Sequence, residues 1–417
     1  MKEKKRKEYP LHSGILEKSI SWACENHLFL SYHNPNNIPY PKNGFDHILY
    51  AGNTAIDWND LENYPGAKAG IFSYDLKNKF ERLKSLNPPL VSCPESSVFL
   101  ADLVISFKRN KIIVLHEEPD TIMGQINEFS TSYQVPLIKK ITSNTTREDY
   151  IKNVKSIQNH IREGDIYELN YCIAFNAQFE HLDPLSVFLK LQYLSPMPFS
   201  SFFKSKEQYL IGASPERFIK KEGRQLTAQP IKGTIKRGQT REEDLQLQET
   251  LRHSEKERAE NLMIVDLMRN DLARISDPGS VRVEELFGIY PFKQISQMIS
   301  TISSTIKDNI SFDQIISHTF PMGSMTGAPK IKCMELIDQY ENFKRGWFSG
   351  ALGYIKENGD FDLSVIIRSI IIDTNTKELF FAAGSAITYD ADPAYEYDEC
   401  LLKASSMFKV LNAENIS

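Results

Sequence analysis

The chain of 417 residues lacks the marks of several common protein classes. Its five cysteines are far apart and form no CxxC pair, which excludes a disulfide framework and predicts reduced thiols in the cytoplasm. No apolar run approaches the roughly 18 residues of a membrane-spanning helix. The net charge of -5 lacks the basic excess of a nucleic-acid-binding protein. Neither GxGxxG nor HExxH occurs, so the sequence predicts no dinucleotide fingerprint and no such zinc site.

What is present is an ordinary globular composition, with 41% hydrophobic and 25% charged residues. Residues 1–140 are predicted to form a β-rich part, because short apolar runs alternate there with Pro, Gly and Asn turns. Its basic start, MKEKKRKEYP, is predicted to be a frayed, solvated tail. Residues 136–144 are interpreted as a connector. Residues 145–412 alternate helical and strand patterns and form the second predicted part, joined with the first in one intertwined unit.

Three helices stand out in the second part. A capping box at Thr145 and Glu148 predicts a helix that ends at Gly164. Residues 241–275 are predicted to be one long helical tract. Residues 392–411 are predicted to be the last helix, with Asp392 as its N-cap and Pro393 at its first position.

The segment HTFPMGSMTGAPK, residues 318–330, contains two glycines, two prolines and three hydroxyl side chains between two helical patterns. Such a loop can approach a ligand closely, turn its N–H groups outward and place a carboxylate or phosphate before the helix that follows. It is not a P-loop, because Lys330 follows a proline and precedes an isoleucine. The alternative is a tight connector, and the loop alone does not decide between them.

Three acids are candidates for binding a hard cation. Glu396 and Glu399 are three residues apart at the start of the last helix and project from nearly the same face. Glu260 begins an apolar helical segment and offers a third carboxylate. Magnesium takes carboxylate oxygens of this kind. The alternative is a solvated acidic turn that complements the helix dipole. Asp266, Arg269 and Asp271 are equally well explained by a structural network of ion pairs.

Lys232 lies in the apolar strand pattern of PIKGT, next to a glycine. A buried lysine whose pKa is lowered by desolvation is a nucleophile or a base, whereas a lysine at a strand end is an ordinary surface residue. Glu216 follows Ser-Pro in a turn between two apolar runs. It is interpreted either as a general acid with a raised pKa or as the partner of Arg217.

Taken together, these segments resemble the chorismate-utilising enzymes, the family of the anthranilate, aminodeoxychorismate, isochorismate and salicylate synthases. Nine motifs follow the family's order over about two-thirds of the chain: GDIYELN, ASPERF, PIKGTIKRG, AENLMIVDLMRNDLARI, FPMGSMTGAPKIKCMELID, GALGYI, IIRSI, AAGSAITYDADP and EYDECLLKA. The resemblance implies an α/β (α+β) fold like that of anthranilate synthase component I. That fold is a two-lobed β-sandwich core with helices packed outside and the site in the cleft.

The resemblance also implies the role of each candidate. Glu260, Glu396 and Glu399 match the carboxylates that hold Mg²⁺, and Glu216 matches the general acid that protonates the departing 4-hydroxyl. Arg368 matches the arginine that grips the enolpyruvyl carboxylate, and a backbone turn at Gly384, Ser385 and Ala386 donates N–H groups to it. Further substrate contacts are implied for Gly233, Thr234, Ser324 and Thr326.

Lys232 is the residue that separates the family's branches. Anthranilate and isochorismate enzymes have alanine there, whereas lysine is typical of aminodeoxychorismate synthases, in which it is thought to attack carbon 2 of chorismate before ammonia enters at carbon 4. Gln297 and Phe348 replace a histidine and a tyrosine of anthranilate synthases. Glu168 replaces the base lysine of the isochorismate-type enzymes and the glutamine of most amine-transferring members. A carboxylate there would raise the pKa of Lys232.

The resemblance therefore implies amination of chorismate at carbon 4. No segment resembles a glutaminase, so a separate glutaminase subunit or free ammonia is predicted as the nitrogen source. Cys172, Cys333 and Cys400 are interpreted as packing residues. Two alternatives are anthranilate synthase component I and a non-catalytic subunit that binds chorismate.

Overall fold

The computed structural model describes residues 4–131 and 136–412. The strands are β1 Lys5–Pro10, β2 Phe29–Asn34, β3 Ile48–Gly52, β4 Thr54–Ile56, β5 Lys68–Phe72, β6 Ser96–Leu100, β7 Leu103–Phe107, β8 Lys111–His116, β9 Leu137–Ile138, β10 Thr142–Ser143, β11 Glu168–His181, β12 Phe199–Ser205, β13 Gln208–Ser214, β14 Arg217–Glu222, β15 Gln225–Gln229, β16 Ile231–Lys236, β17 Arg282–Pro291, β18 Ile295–Thr305, β19 Gly327–Ala328, β20 Ala351–Ile355, β21 Phe361–Val365, β22 Ser369–Asp373 and β23 Glu378–Ile387.

The helices are α1 Ile15–Asn26, α2 Lys77–Phe80, α3 Pro119–Glu128, α4 Arg147–Arg162, α5 Pro184–Leu194, α6 Arg241–His253, α7 Glu255–Ile275, α8 Phe312–Thr319, α9 Lys330–Tyr340 and α10 Pro393–Val410. Short 3₁₀ turns cover Trp58–Asn63, Tyr74–Leu76 and Gly323–Met325. No helix among the described residues is long and apolar enough to cross a membrane.

Two antiparallel sheets form the core. The large sheet has thirteen strands in the order β1-β8-β7-β3-β2-β12-β13-β22-β23-β11-β10, with β9 and β19 also paired to β11. The small sheet has ten strands in the order β16-β18-β15-β14-β21-β20-β5-β6-β4, with β17 also paired to β18. Both sheets contain strands from before and after residue 140. The division of the chain into two parts at this residue remains a prediction.

The two sheets pack face to face through aromatic side chains. Phe29 of the large sheet stacks on Phe99 of the small sheet with ring centroids 5.7 Å apart. Tyr50 and Tyr354 make a second stacked pair between the sheets, at 5.5 Å. On the outer side of the large sheet, Phe408 of α10 packs edge-on against Phe381, with ring centroids 5.0 Å apart. This arrangement confirms the predicted β-sandwich core with helices packed outside.

Most of the predicted helix ends are correct. The Asp392 carboxylate accepts hydrogen bonds from the N–H groups of Ala394 and Tyr395, both at 2.9 Å, so it caps α10 as predicted. The cap of α4 is Thr146 rather than Thr145, and its hydroxyl accepts from the N–H of Asp149. The prediction of one helix over residues 241–275 is wrong, because Ser254 has extended backbone, ends α6 and caps α7.

The predicted N-terminal tail is also wrong for the described residues. Lys5–Pro10 forms strand β1, which pairs along its whole length with β8 at the edge of the large sheet. Its exposed charged side chains suit an edge strand, where they face water and discourage further pairing. Within the predicted connector, Leu137–Ile138 and Thr142–Ser143 both pair with β11.

Candidate active site

Lys232 is placed by an irregularity at the edge of the small sheet. Ile231 pairs with Ile299 and Thr234 pairs with Gln297, so two residues of β16 oppose one residue of β18. The result is a β-bulge, which re-aims the side chain that it contains. Gly233 supplies the left-handed conformation needed there, with φ of 92°. The Lys232 side chain is 8% exposed, which excludes the surface-lysine alternative.

The Lys232 ammonium forms an ion pair with the carboxylate of Glu168, at the start of β11 in the large sheet. The contact therefore joins the two sheets. Burial acts to lower the pKa of Lys232, but the carboxylates of Glu168, Glu260 and Glu216 outweigh it and raise this pKa above its ordinary value. The expectation of a lowered lysine pKa is thus wrong, and the effect anticipated for a carboxylate at position 168 is present.

Glu216 is buried in the turn between β13 and β14, near Lys232. Burial raises the pKa of the Glu216 carboxyl to about 7, although Ser324 and Lys232 act to lower it. The alternative pairing with Arg217 is wrong, because the Arg217 guanidinium binds the Asp362 carboxylate with an Nε–Oδ1 distance of 2.8 Å. The Glu216 carboxyl therefore holds its proton to a higher pH than an ordinary glutamate does, as a general acid near neutral pH requires.

The three predicted metal ligands come from two helices. Glu260 lies on α7, and α7 is tied to the small sheet by a hydrogen bond from the Ser300 hydroxyl to the Asn261 side chain, 2.6 Å long. Glu396 and Glu399 lie one turn apart on α10. Burial raises the pKa of Glu260 to about 8 and also raises that of Glu396.

Two lysines that sequence reasoning missed approach these acids. Lys256 Nζ lies 3.2 Å from Glu396 Oε1 and 4.0 Å from Glu260 Oε1, so one ammonium faces carboxylates of both helices. Lys403 Nζ lies 2.6 Å from Glu399 Oε1. It holds the pKa of Glu399 below its ordinary value, against the opposite effect of burial. Both lysines stand four residues from a predicted ligand, a spacing from which these contacts could have been predicted.

The acid cluster suits a divalent cation. Glu260 Oε1 is buried, and no described residue hydrogen-bonds to it. A buried carboxylate oxygen without a donor is costly unless a bound group satisfies it. The donors are carboxylate oxygens, which Mg²⁺ prefers to softer ligands. The chemistry of these donors therefore fits the metal that the family resemblance implies, although the ligand atoms of the three acids do not all lie within 4.8 Å of one another.

The loop of residues 318–330 lies against β11, beside Glu168. The Asn170 N–H donates to the Thr326 carbonyl at 2.9 Å, and the Asn170 side chain donates to the Ser324 carbonyl at 3.1 Å. Gly327 pairs with Leu169, and a Cβ at this glycine would lie 2.1 Å from the Glu168 carbonyl oxygen. Only glycine permits this approach.

The prediction that the loop turns its N–H groups outward is wrong for Thr326. Its N–H donates to the Gly323 carbonyl at 3.1 Å, and its hydroxyl donates to the Met322 carbonyl at the same distance. The Thr326 groups thus stabilise the loop itself. Ser324 differs, since its buried hydroxyl lies near Glu216 and has no geometric hydrogen-bond partner among the described residues.

Arg368 lies between β21 and β22 with φ of 50°, a left-handed conformation that costs energy in a residue other than glycine. Its carbonyl accepts from the Ala213 N–H, and the Glu216 carbonyl accepts from the Val365 N–H, so Arg368 and Glu216 lie on neighbouring segments. Burial lowers the pKa of Arg368 to about 10. A half-buried guanidinium to which no described carboxylate is paired can receive an anionic group.

The remaining candidates lie in strands. Gly384, Ser385 and Ala386 are inside β23 and pair with β11, so the prediction of a backbone turn there is wrong. The Ser385 hydroxyl donates to the Glu396 carboxylate, which connects this strand to the acid cluster. Thr234 is exposed, and its hydroxyl accepts from the side-chain amide of Gln297 at 3.4 Å.

The three cysteines interpreted as packing residues, Cys172, Cys333 and Cys400, are all buried, and burial raises the pKa of each thiol. All five cysteines of the chain are free.

This chain belongs to the family of chorismate binding enzymes, whose family model matches residues 38–409. Over 353 residues it is 33% identical to aminodeoxychorismate synthase component 1 of Escherichia coli, a match that covers 84% of this chain and 77% of that protein. Over 380 residues it is 37% identical to the chloroplastic aminodeoxychorismate synthase of Arabidopsis thaliana, covering 84% of this chain. The match spans only 41% of the plant protein's length.

Anthranilate synthases are also similar. Component 1 of the Aquifex aeolicus enzyme is 30% identical over 374 residues, covering 84% of this chain and 75% of that one. The crystal structure of anthranilate synthase component I from Streptococcus pneumoniae superposes with a TM-score of 0.75 at 26% identity, covering 91% of this chain and 92% of that one. The predicted fold is thereby confirmed.

Proposed function

We propose that this chain aminates chorismate at carbon 4 with ammonia, to give 4-amino-4-deoxychorismate, the precursor of 4-aminobenzoate and folate. The observation that carries the proposal is the placement of Lys232, buried at a β-bulge and facing Glu216 and Glu260. The similarity to enzymes named aminodeoxychorismate synthase supports the same activity.

In this proposal Lys232 is the nucleophile and Glu216 the general acid. The lysine amine attacks carbon 2 while Glu216 protonates the hydroxyl group that leaves carbon 4. Ammonia then attacks carbon 4 and expels the lysine. The raised pKa of Glu216, about 7, supports its role because the carboxyl must carry a proton before substrate turnover begins.

Glu260, Glu396 and Glu399 would hold Mg²⁺, and the orphaned oxygen of Glu260 supports this assignment. When bound, the metal would supply positive charge for the ring carboxylate of chorismate. The unpaired guanidinium of Arg368 would bind the enolpyruvyl carboxylate, beside the strand that contains Gly384, Ser385 and Ala386. Gly233, Thr234 and Ser324 would line the same cleft.

The ammonia would come from a separate glutaminase subunit or from solution. The name "component 1" of the bacterial relatives supports a second subunit, since it implies another component. Five free cysteines support a reducing compartment such as the cytoplasm.

Anthranilate synthase component I is the second candidate, favoured by the relatives with that name. Lys232, Gln297 and Phe348 count against it, because they replace the alanine, histidine and tyrosine of those enzymes. A non-catalytic chorismate-binding subunit is a third candidate, which the presence of both Lys232 and Glu216 disfavours.

The test is to incubate the purified chain with chorismate, excess ammonium and Mg²⁺ near neutral pH, where Glu216 still holds its proton, and to identify the products by mass spectrometry, with Lys232→Ala beside it. We expect 4-amino-4-deoxychorismate from the wild type and a loss of at least about 100-fold in the variant. Anthranilate as the product would favour the second candidate. Absence of any turnover would favour the third.

A further inference from the structure

Glu168 lies in direct contact with the proposed nucleophile. It begins β11 of the large sheet, whereas Lys232 lies in β16 of the small sheet, and their ion pair joins the two. The side chains are 0% and 8% exposed, so water does not screen the pair. Forming a buried ion pair costs free energy, because both charges lose their hydration. Such a pair is therefore better explained by a functional role than by a contribution to stability.

The position of Glu168 is fixed by its backbone. It pairs with Ala328, and its carbonyl accepts a hydrogen bond from the Cys333 thiol at 3.2 Å. Gly327 approaches this backbone so closely that a Cβ there would lie 2.1 Å from the Glu168 carbonyl oxygen. At the other end of the residue, Glu168 Oε2 is buried and no described residue donates to it. The carboxylate thus has one oxygen on Lys232 and one oxygen without a donor among the described residues.

The surroundings keep Lys232 protonated. Its neighbours are Glu168 on β11, Glu257 and Glu260 on α7, Glu216 before β14 and Lys403 on α10. The net effect of these groups favours the charged lysine, which cannot attack carbon. A proton must therefore leave Nζ first. Of these acids, only Glu168 is hydrogen-bonded to Lys232 among the described residues.

We propose that Glu168 is the proton acceptor that frees the Lys232 amine, a role that rests on the proposed amination of chorismate. The proton moves from Lys232 Nζ to Glu168, and the amine forms a bond to carbon 2. The bond between carbon 4 and its hydroxyl breaks, and the hydroxyl leaves as water with the proton of Glu216.

The second displacement restores both acids. Ammonia forms a bond to carbon 4, the bond between carbon 2 and Nζ breaks, and the departing amine takes its proton back from Glu168. One proton of the new ammonium group at carbon 4 returns to Glu216. The sum is chorismate plus ammonia giving the amine and water. Glu168 thus exchanges a proton with the reacting Nζ atom of Lys232 and does not act on chorismate itself.

The test compares Glu168→Gln with the wild type, in the full chain with Mg²⁺, saturating chorismate and a constant concentration of free ammonia. The readout is the ratio of the two kcat values from neutral to alkaline pH, in which the contribution of Glu216 cancels. Removing the carboxylate also lowers the pKa of Lys232, but the proton must then leave to solvent without an acceptor, so we expect the variant to be at least about tenfold slower at neutral pH. The ratio of the wild-type kcat to the variant kcat should shrink by about tenfold for each pH unit, because the lysine of the variant loses its proton to solvent as the pH rises.

Glu168→Asp is the matched control, since it keeps the carboxylate, and its ratio to the wild type should not change with pH. Three results would overturn the inference: a Glu168→Gln variant as fast as the wild type at neutral pH, a ratio independent of pH, or a loss that alkaline pH does not restore. Each of them leaves the proposed function intact if the wild type still produces 4-amino-4-deoxychorismate. A wild type without that product refutes the proposed function instead.

Discussion

Lys256 Nζ lies 3.2 Å from the Glu396 carboxylate, and the same ammonium lies 4.0 Å from Glu260. One side chain of α7 thus neutralises acids on two helices that would otherwise repel each other. A divalent cation bound by those acids has to compete with this ammonium for them.

Replacing Lys256 with methionine should therefore lower the melting temperature in the presence of a chelator and tighten the binding of Mn²⁺ or Mg²⁺ several-fold. Calorimetric titration and thermal unfolding measure the two effects. Lys332→Met is the control, because Lys332 makes only an exposed pair with Glu335, worth about 0–1 kcal/mol. Metal binding that is weaker in Lys256→Met would show that the lysine supports the ligands instead of competing for them.

Glu216→Gln should keep its fold and lose about 10²- to 10⁴-fold in turnover, because the amide cannot protonate the leaving hydroxyl. In the wild type, turnover should fall as the pH rises above about 7, the pKa of this carboxyl. Steady-state kinetics across pH check both statements. The control is Glu222→Gln, which changes an exposed acid of β14 and should alter neither the turnover rate nor its dependence on pH. Full activity in Glu216→Gln would remove the residue from the chemistry.

The same pKa predicts a change in stability. The folded carboxyl of Glu216 binds its proton up to about pH 7, whereas the unfolded carboxyl releases it near 4.5. Because the folded state holds the extra proton in this window, the free energy of unfolding falls as the pH rises through it, by about 3 kcal/mol. Urea denaturation at several pH values should show that Glu216→Gln lacks this loss. Parallel curves for the two proteins would contradict the prediction.

The Arg217–Asp362 pair is fully buried, with side chains 0% and 3% exposed. Asp362→Asn should cost about 3–5 kcal/mol in the free energy of unfolding, because it leaves a buried guanidinium without its counter-charge. Asp266→Asn breaks a pair of the same residue types on the surface and should cost less than about 1 kcal/mol. Chemical denaturation measures the free energy of unfolding of both variants. Equal losses of stability would be inconsistent with the burial of the Arg217–Asp362 pair.

Gly327→Ala should destabilise the chain and reduce turnover, because its methyl group would meet the Glu168 carbonyl oxygen at 2.1 Å. Gly359→Ala is the matched control, since that glycine also has positive φ but open space around its Cβ position. The control measures the cost of a left-handed backbone in a residue other than glycine, about 1–2 kcal/mol. Thermal unfolding and steady-state kinetics of both variants measure how much more Gly327→Ala loses than Gly359→Ala. Equal losses would mean that the loop can move away from the Glu168 carbonyl, and would contradict the prediction.

Local signals in the sequence were sufficient for much of this structure. The cap at Asp392 depends on neighbouring residues, and the placement of Glu396 and Glu399 on one face follows from helical spacing. The strand patterns were equally readable. The cap at Thr146 was missed by one position because the preceding residue is also a threonine.

Long-range pairing explains what could not be predicted. Lys5–Pro10 has the composition of a solvated tail, and only pairing with β8, about a hundred residues later, makes it a strand. From its own segment, Lys232 was expected to have a lowered pKa, because burial is visible in the local pattern. The acids that raise this pKa come from β11 and α7, and residue spacing does not reveal that they converge; only the family resemblance indicated the effect of Glu168.

The most direct test of the proposed chemistry is the position of the new nitrogen atom. The wild-type chain should be given chorismate and ¹⁵N-labelled ammonium, and the product should be examined by NMR. Two successive displacements, the first by Lys232, put the label on carbon 4. A label on carbon 2 would mean a single displacement by ammonia, and would contradict the role given to Lys232.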